Sequence, residues 1–241
     1  MKTVKIFVHK VLNALGYVLE NSQKQEKLNY LWIKNFNIKT VLDIGANEGQ
    51  FALALNKHVK DLAIISFEPL QDTFEKLKLN TKGFKNISCH NFALGDKNEM
   101  ATIHKNVHSP SSSLLALSDI HKKSYPEFER ATEENIKIKR LDDVVQKLSL
   151  DLSKDFLIKI DVQGFEDKVI EGGKETLQKA KILIVEIGFV ELYEHQPLFD
   201  TIYKKLTGMG FKFKGVLNTA VDKNSGLPLF TDGIFIQEHN G

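Results

Sequence analysis

Cysteine and long apolar runs are both scarce in this sequence. Cys89 is the only cysteine among 241 residues, which excludes an internal disulfide and any zinc site built from cysteines. No stretch approaches the roughly 20 apolar residues that a membrane-spanning helix needs, and the first segment lacks the apolar block and cleavage site of a signal peptide. We therefore expect a soluble protein of a reducing compartment, the cytoplasm.

A strong excess of charge of either sign is also missing. The 33 Lys and Arg residues nearly balance the 31 Asp and Glu residues, so no general positive field favours nucleic acid as a partner. Fixed-period repeats and long low-complexity linkers are absent as well. A chain of this length fits one large domain with a small appendage. We expect an N-terminal helical segment over residues 1–36 and a main domain over residues 37–241.

The N-terminal residues show the apolar spacing of an amphipathic helix. Eight apolar residues share one helical face, namely Val4, Phe7, Val8, Val11, Leu12, Leu15, Val18 and Leu19. We favour packing of this face on the main domain or on the second copy of a homodimer, because most amphipathic helices face a core. Peripheral contact with a membrane surface is the lesser alternative.

From residue 37 onward, short β-branched runs alternate with longer amphipathic segments. This alternation predicts right-handed crossovers and a mostly parallel sheet with helices on both faces, which is a doubly wound α/β fold. No helix is predicted between the last two runs, so the last strand is expected to be antiparallel. Strands are predicted at residues 40–45, 63–68, 87–94, 101–106, 135–141, 156–162, 181–188, 210–216 and 233–238, and helices at 50–57, 71–82, 165–180 and 198–209.

The residues that end the predicted strands are candidates for function, because ligands of doubly wound sheets bind beyond the carboxyl ends of the strands. Acidic residues lie at four of these ends, namely Asp43, Glu68, Asp161 and Glu186. An edge so rich in carboxylates suits a cationic group better than a pyrophosphate.

The first strand runs into the turn GANEG, which differs from a dinucleotide-binding loop. The pattern G-x-G-x-x-G would need a glycine where Asn47 stands, and the last glycine, Gly49, comes one residue early. Asparagine tolerates positive φ, so a sharp turn can still form. Glu68 ends the next strand, 25 residues after Asp43, where an acid can accept hydrogen bonds from ribose hydroxyls. A nucleoside that carries positive charge, such as S-adenosylmethionine, fits this edge.

Seven blocks of the sequence together resemble the FkbM family of class I S-adenosylmethionine-dependent methyltransferases. In family order they are VLDIGANEGQF (41–51), SFEP (66–69), NFALGD (91–96), SPSSSLL (109–115), KRLDDV (139–144), IKIDVQGFEDKVIEGG (158–173) and LIVEI (183–187). The resemblance implies a Rossmann-like domain with a seven-stranded sheet whose last strand is antiparallel. It also implies O-methylation of a hydroxyl on a sugar, glycan or small metabolite.

The resemblance assigns roles to individual positions. The cofactor S-adenosylmethionine is expected to contact Asp43, Gly45, Asn47, Gly49, Phe51, Glu68, Pro69, Asn91, Phe92 and Ala93. For the acceptor, the candidate contacts are Ser111, Ser112, Ser113, Gln163 and Glu166.

An alcohol is a weak nucleophile whose proton must leave, so a base or a metal is needed. Asp161 is the first candidate base, with Glu186 and His195 as helpers that orient the acceptor or share the proton, and His108 as a further candidate. We expect no metal site. Mg²⁺ held by Asp161, Glu166 and Glu186 is the less favoured alternative.

Other interpretations of the same residues stay open. Glu166 lies in the first turn of a predicted helix, where acids are favoured by the helix dipole, and His195 lies in a connecting loop, where it could simply be solvated. Asp142 and Asp143 are interpreted as caps of the following segment. The alternative functions are an NAD(P)-dependent oxidoreductase and a methyltransferase-like protein that binds without turnover.

Overall fold

The structure, a computed structural model, describes residues 30–106, 112–115, 118 and 131–238. Most of the predicted N-terminal segment, residues 1–29, lies outside the described residues, as do His108 and Ser111. The part of that segment that is described ends in a short 3₁₀ helix, Trp32–Phe36, which packs on the main domain through Ile33.

The described chain alternates strands with helices from residue 40 onward. Its strands are β1 (Thr40–Ile44), β2 (Ala63–Phe67), β3 (Ile87–His90), β4 (Ala93–Gly95), β5 (Glu99–Asn106), β6 (Ala131–Arg140), β7 (Phe156–Ile160), β8 (Ile182–Gly188), β9 (Phe211–Val221) and β10 (Pro228–Gln237). Its α-helices are α1 (Gln50–His58), α2 (Gln71–Thr81), α3 (Leu141–Lys147), α4 (Glu166–Gly172), α5 (Lys174–Leu177) and α6 (Phe199–Gly208).

Seven of these strands form one sheet in the order β3-β2-β1-β7-β8-β10-β9. Strands β1, β2, β3, β7 and β8 pair in parallel, whereas β10 lies between β8 and β9 and is antiparallel to both. The predicted fold, a mostly parallel seven-stranded sheet with an antiparallel last strand, is confirmed. Strand order reverses between β1 and β7, so the ends of these two strands mark the switch point where ligands of such sheets bind.

Both faces of the sheet are covered, which explains why its central strands are apolar without alternation. One layer of the core joins α1 to the sheet through Ala52 and Leu55. The other layer joins α4 and α6 to the opposite face, through Val169 and Ile202 among others. Within the described chain no helix is both long enough and apolar enough to cross a membrane.

Three predicted elements differ in the structure. The run at residues 87–94 splits, so that β3 belongs to the large sheet and β4 to a separate three-stranded sheet of order β4-β6-β5. The predicted helix at 165–180 breaks at Gly173, where a Cβ atom would lie 2.7 Å from Leu141 Cδ2. The residues between the last two predicted strands, expected to be a loop, mostly extend β9 and β10 into a hairpin.

The predicted capping role of Asp142 is corrected by the structure. Asp142 lies within α3 and not before it. Its carboxylate accepts hydrogen bonds from the backbone N–H groups of Glu175, at 3.3 Å, and of Thr176, at 2.9 Å. It therefore satisfies amides at the start of α5, which the break at Gly173 exposes.

Candidate functional site

A cavity of about 400 Å³ lies at the carboxyl ends of β1, β2, β7 and β8. Its volume falls within the range of about 300–1,000 Å³ that small-molecule sites occupy. Seven of the residues predicted for the site supply its polar wall, namely Gly45, Asn47, Glu68, Ser112, Asp161, Gln163 and Glu186. The strand ends that the sequence pointed to are therefore brought together at the switch point of the sheet.

The glycine turn after β1 packs tightly against the backbone of Asp161. Gly45 has φ +78°, and a Cβ atom there would lie 1.8 Å from the carbonyl oxygen of Asp161. Asn47 has φ +49° and Gly49 has φ +93°. The turn therefore needs glycine at 45 for space and for conformation, while asparagine suffices at 47, as the sequence indicated.

Glu68 presents a fixed carboxylate to the cavity. Its Oε2 accepts a hydrogen bond from the backbone N–H of Asn47 and its Oε1 accepts one from the N–H of Leu70, both at 3.0 Å. Burial raises the pKa of Glu68 to about 7, against the opposing effect of the two amides. Each oxygen keeps a further lone pair, so the pinned carboxylate can accept two hydroxyl groups of a ribose.

Phe92 and Ala93 form an apolar wall of the same cavity, next to Glu68. The ring of Phe92 is held by the ring of Phe67, with centroids 5.5 Å apart, and by Lys139 Nζ, 3.7 Å from its centroid. Asn91 braces this wall, because its Nδ2 donates to the carbonyl oxygens of Glu68 and Pro69. Pro69 lines the cavity as predicted.

Asp43 lies behind the cavity, fully buried. Its Oδ2 accepts a hydrogen bond from the hydroxyl of Ser66 at 3.4 Å, and within the described residues its Oδ1 has no hydrogen-bond partner. Burial raises the pKa of Asp43 to about 6, partly offset by Lys159. Gly49 also lies behind, with Leu77 Cδ1 2.9 Å from the position of a Cβ atom.

Lys159 is the buried cation that faces the carboxylates of Asp161 and Asp43. Its Nζ donates to Asp161 Oδ2 at 2.8 Å, and the residue is only 9% exposed. Burial alone would lower the pKa of Lys159, but the carboxylates of Asp161 and Asp43 outweigh it and raise the pKa above its ordinary value. Our sequence reasoning missed Lys159, although a lone cation in the apolar strand FLIKI was a visible signal.

Asp161 and Glu186 face each other across one amide. Gln163 Nε2 donates to Asp161 Oδ1 at 2.8 Å and to Glu186 Oε2 at 2.9 Å. Burial first, and then the charges of Asp161 and Glu166, raise the pKa of Glu186 well above its ordinary value. The structure thus places both predicted acids together, and the Glu186 carboxylate binds a proton more tightly than an exposed one would.

A second cavity of about 650 Å³ lies on the α1 side of the glycine turn and shares Gly45, Asn47 and Asp161 with the first. Phe51 lines this cavity and not the first one. Asp232 also lines it and stands opposite Glu186 in the β8–β10 register. Burial and the charge of Asp161 raise the pKa of Asp232. No sequence signal pointed to Asp232, because it lies in the C-terminal hairpin and its charged neighbours, Asp161 and Lys159, are distant in sequence.

His195 is not brought into the site. It is exposed in the loop after β8, with φ +62°, and lines neither cavity. Its backbone N–H donates to the carboxylate of Glu191. The solvated-loop interpretation fits this position better than the catalytic one.

The predicted acceptor contacts take several different places. Ser112 and Gln163 line the first cavity. Ser113 is buried, and its hydroxyl donates to the backbone oxygen of Gln163. Glu166 is only 2% exposed, and its Oε1 accepts hydrogen bonds from the N–H groups of Val162 and Gly164 at 3.0 and 3.2 Å. Burial raises its pKa to about 7. Glu166 therefore braces the turn after β7 instead of facing the cavity.

Apolar side chains that the sequence did not single out complete the first cavity. Leu192 and Phe230 line it beside Tyr193, and Phe165 lines it from the turn before α4. In the described part of the chain, no group of three or more His, Cys, Asp or Glu residues is placed to hold a metal ion.

Known proteins resemble this chain in sequence and in fold. A protein-family model described as "Methyltransferase FkbM domain" matches residues 43–213. The 2-O-methyltransferase NoeI of Sinorhizobium fredii (strain NBRC 101917 / NGR234) is 30% identical over 162 residues, which cover 65% of this chain and 66% of NoeI, just under two thirds of that relative.

Solved structures with a similar course of the chain share little sequence with it. Fibrillarin of Aeropyrum pernix, solved with natively bound S-adenosyl-L-methionine, is 11% identical with a TM-score of 0.47, covering 88% of this chain and 76% of its own. Precorrin-6y C5,15-methyltransferase of Geobacter metallireducens GS-15 is 11% identical with a TM-score of 0.44, covering 88% of this chain and 84% of its own.

Proposed function

Because the chain belongs to the FkbM methyltransferase family, we propose that it transfers a methyl group from S-adenosylmethionine to a hydroxyl of a sugar, glycan or small metabolite. The family membership confirms the resemblance found in the sequence motifs. One observation carries the proposal. A single cavity is lined by Glu68, whose carboxylate is held by two backbone amides and could accept ribose hydroxyls, and by the carboxylates of Asp161 and Glu186.

The residues around the cavity fit the proposed cofactor. Glu68 offers two fixed oxygen acceptors for ribose hydroxyls, and Phe92 with Ala93 offers an apolar wall for a base. Asp161 and Glu186 place negative charge at the far side of the glycine turn, where a positive group would relieve the repulsion between them.

When bound, S-adenosylmethionine supplies a methyl group on a sulfonium, and transfer joins that methyl to the acceptor oxygen while sulfur keeps the electron pair of the broken bond. The hydroxyl proton must go to a base. Asp161 already accepts hydrogen bonds on both oxygens, whereas among the described residues no donor reaches Glu186 Oε1. We therefore assign the proton to Glu186 Oε1, with Asp161 beside it. Since burial raises the pKa of Glu186, turnover should rise with pH as this carboxyl ionises.

A sugar-like acceptor is supported by the walls near Glu186. Tyr193, Leu192 and Phe230 offer apolar surface next to the two carboxylates, which suits a ring that carries both C–H faces and hydroxyl groups. The relative NoeI is described as a 2-O-methyltransferase, and this name favours oxygen as the atom that receives the methyl group.

Calorimetry and a transfer assay test the proposal. The full chain is titrated with S-adenosylmethionine and with NADH, and we expect binding of the first alone. Tritium-labelled cofactor is then incubated with a panel of methyl hexopyranosides and with their 2-deoxy counterparts. We expect label in a sugar that carries the 2-hydroxyl, and none in its 2-deoxy form.

Two variants locate the chemistry. Glu68→Ala should abolish cofactor binding, whereas Glu186→Gln should keep cofactor binding and lose about 100-fold or more in turnover, which is the lower end for loss of a general base. Glu175→Gln, an exposed change on α5, is the control. Binding of NADH in place of S-adenosylmethionine would support an oxidoreductase instead. Cofactor binding without transfer to any hydroxyl compound would support the non-catalytic alternative.

A further inference from the structure

The connection between β7 and α4 holds Gln163 in an unusual conformation. Gln163 has φ +56° and is followed by Gly164 at φ +96°. The turn is tied down from both sides, since Glu166 Oε1 accepts the N–H groups of Val162 and Gly164. A non-glycine residue with positive φ is strained by about 1 kcal/mol or more and persists only where surrounding contacts impose it.

A further contact fixes the backbone of Gln163. Its carbonyl oxygen accepts a hydrogen bond of 2.5 Å from the hydroxyl of Ser113, a buried residue. Strained residues so firmly held concentrate at functional sites.

The side-chain amide of Gln163 is oriented by Tyr193. The Tyr193 hydroxyl lies 2.6 Å from Gln163 Oε1 and donates to it, and Tyr193 is only 2% exposed. The other end of the amide, Nε2, faces the two carboxylates of Asp161 and Glu186. The reverse orientation would place Oε1 against two carboxylates that only accept hydrogen bonds, so the chemistry of the partners fixes which end is nitrogen.

The polar capacity of this amide is almost fully used inside the protein. Its NH₂ group has two N–H bonds, and they serve Asp161 and Glu186. Its oxygen already receives the Tyr193 hydroxyl. An acceptor hydroxyl could reach only the second lone pair of Oε1 without displacing one of these bonds, so the geometry favours a role toward the two acids over a role toward substrate.

The two acids need such a donor. Asp161 directly follows β7, and Glu186 lies near the end of the adjacent parallel strand β8. Other charged groups also face Glu186. These are Glu166 from α4, Asp232 from β10 and Lys159 from β7. Like charges at close range oppose each other's ionisation, and a hydrogen bond to the charged form favours it.

We propose that Gln163 is a positioning residue, whose amide holds the Glu186 carboxylate beside that of Asp161 in the ionised form that accepts the acceptor's proton, with Tyr193 fixing the orientation of the amide. This inference rests on the proposed methyl transfer to a hydroxyl. It assigns to Gln163 no contact with cofactor or acceptor.

Carbon-13 NMR on the full chain tests this role without any acceptor. The protein is labelled at the side-chain carboxyl carbon of glutamate, and the Glu186 signal is identified by its loss in Glu186→Gln. The titration midpoint of Glu186 is then measured in the wild type and in three variants, Gln163→Met, Gln163→Glu and Tyr193→Phe. Gln178→Met, an exposed change that follows α5, is the matched control.

We expect the Glu186 midpoint to rise by about one pH unit in Gln163→Met, because a donor to the charged form is lost. The rise should be larger in Gln163→Glu, which adds a like charge, and smaller in Tyr193→Phe, which keeps the amide but loosens its orientation. Gln178→Met should leave the midpoint unchanged. Circular dichroism confirms folding, and should Gln163→Met fail to fold, the isosteric Gln163→Glu and the conservative Tyr193→Phe still decide the outcome.

An unchanged Glu186 midpoint in folded Gln163→Glu and Tyr193→Phe would overturn the proposal. Calorimetry with S-adenosylmethionine separates it from the proposed function. If the wild type binds no cofactor, the methyltransferase assignment fails, whereas the NMR titration still reports on the coupling of Gln163 to Glu186. If the variants keep cofactor affinity within about twofold and shift the midpoint, both proposals stand.

Discussion

The buried carboxyl of Glu166 provides a sharp test of the site's electrostatics. Glu166 is 2% exposed, and burial raises its pKa from 4.5 to about 7 despite hydrogen bonds from the backbone N–H groups of Glu166 itself, Val162 and Gly164. A carboxyl whose pKa is higher in the folded chain binds its proton more tightly there. Its contribution to stability is therefore fully present below pH 4.5 and is lost as the pH rises toward 7.

The magnitude follows from the two pKa values. A difference from 4.5 to about 7 corresponds to about 3 kcal/mol of unfolding free energy lost by the time the pH exceeds 7, at about 1.4 kcal/mol for each pH unit. Glu166→Gln removes this loss, because glutamine does not ionise. Its oxygen can still accept both the Val162 and the Gly164 N–H groups, since the same atom, Oε1, accepts both.

Urea denaturation followed by circular dichroism measures the effect at pH 5, 6, 7 and 8. We expect the stability of Glu166→Gln relative to wild type to grow by about 2–3 kcal/mol between pH 5 and pH 8. Other raised carboxyls, such as Glu68, titrate in both proteins and largely cancel in the difference. The exposed Glu175→Gln serves as the control, with a constant difference across the range. Parallel stability curves for wild type and Glu166→Gln would refute a buried carboxyl with a raised pKa.

Three further substitutions have defined outcomes. Gly45→Ala should destabilise the chain by about 3 kcal/mol or more in urea denaturation, because its Cβ would lie 1.8 Å from the Asp161 carbonyl oxygen at a positive φ. Unchanged stability would mean that Gly45 and the Asp161 carbonyl do not pack so closely. Lys159→Met should lower stability by about 3–5 kcal/mol at pH 8, since the ionised Asp161 and Asp43 lose their buried partner. A loss of stability that is smaller at pH 8 than at pH 5 would contradict this prediction. His195 is exposed and lies outside both cavities. His195→Ala should therefore change stability by less than about 0.5 kcal/mol and leave the affinity for S-adenosylmethionine, measured by calorimetry, unchanged. A tenfold loss of affinity would show that His195 does contribute to the site.

Residues at strand ends could be predicted from the sequence because local patterns determine their position. The apolar runs before Asp43, Glu68 and Asp161 mark strands, and parallel strands bring their carboxyl ends to one edge of a sheet. The spacing of Gly45, Asn47 and Gly49 predicted a sharp turn for a reason that the backbone angles bear out. These inferences need only the direction of each strand.

Residues whose roles depend on distant partners could not be placed in the same way. Asp232 reaches the second cavity because β10 inserts between β8 and β9, and no local pattern reports that pairing. The bracing role of Asn91 could not be predicted for the same reason, since it depends on where the carbonyls of Glu68 and Pro69 point. His195 was predicted from its residue type alone, and the structure places it in an exposed loop outside both cavities.

The hydrogen bonds of the glycine turn argue against a bound pyrophosphate. Dinucleotide-binding loops hold phosphate with free backbone N–H groups at the turn and at the start of the next helix. Here the N–H groups of Gly45 and Ala46 donate to the Phe67 carbonyl, that of Asn47 donates to Glu68, and that of Gly49 donates to Ala46. Four of the five amides in the turn are thus used within the protein, and one of them serves a carboxylate that would repel phosphate. Asn47, which breaks the glycine pattern, therefore contributes to the site, because its backbone N–H fixes the carboxylate of Glu68 that would bind a ribose.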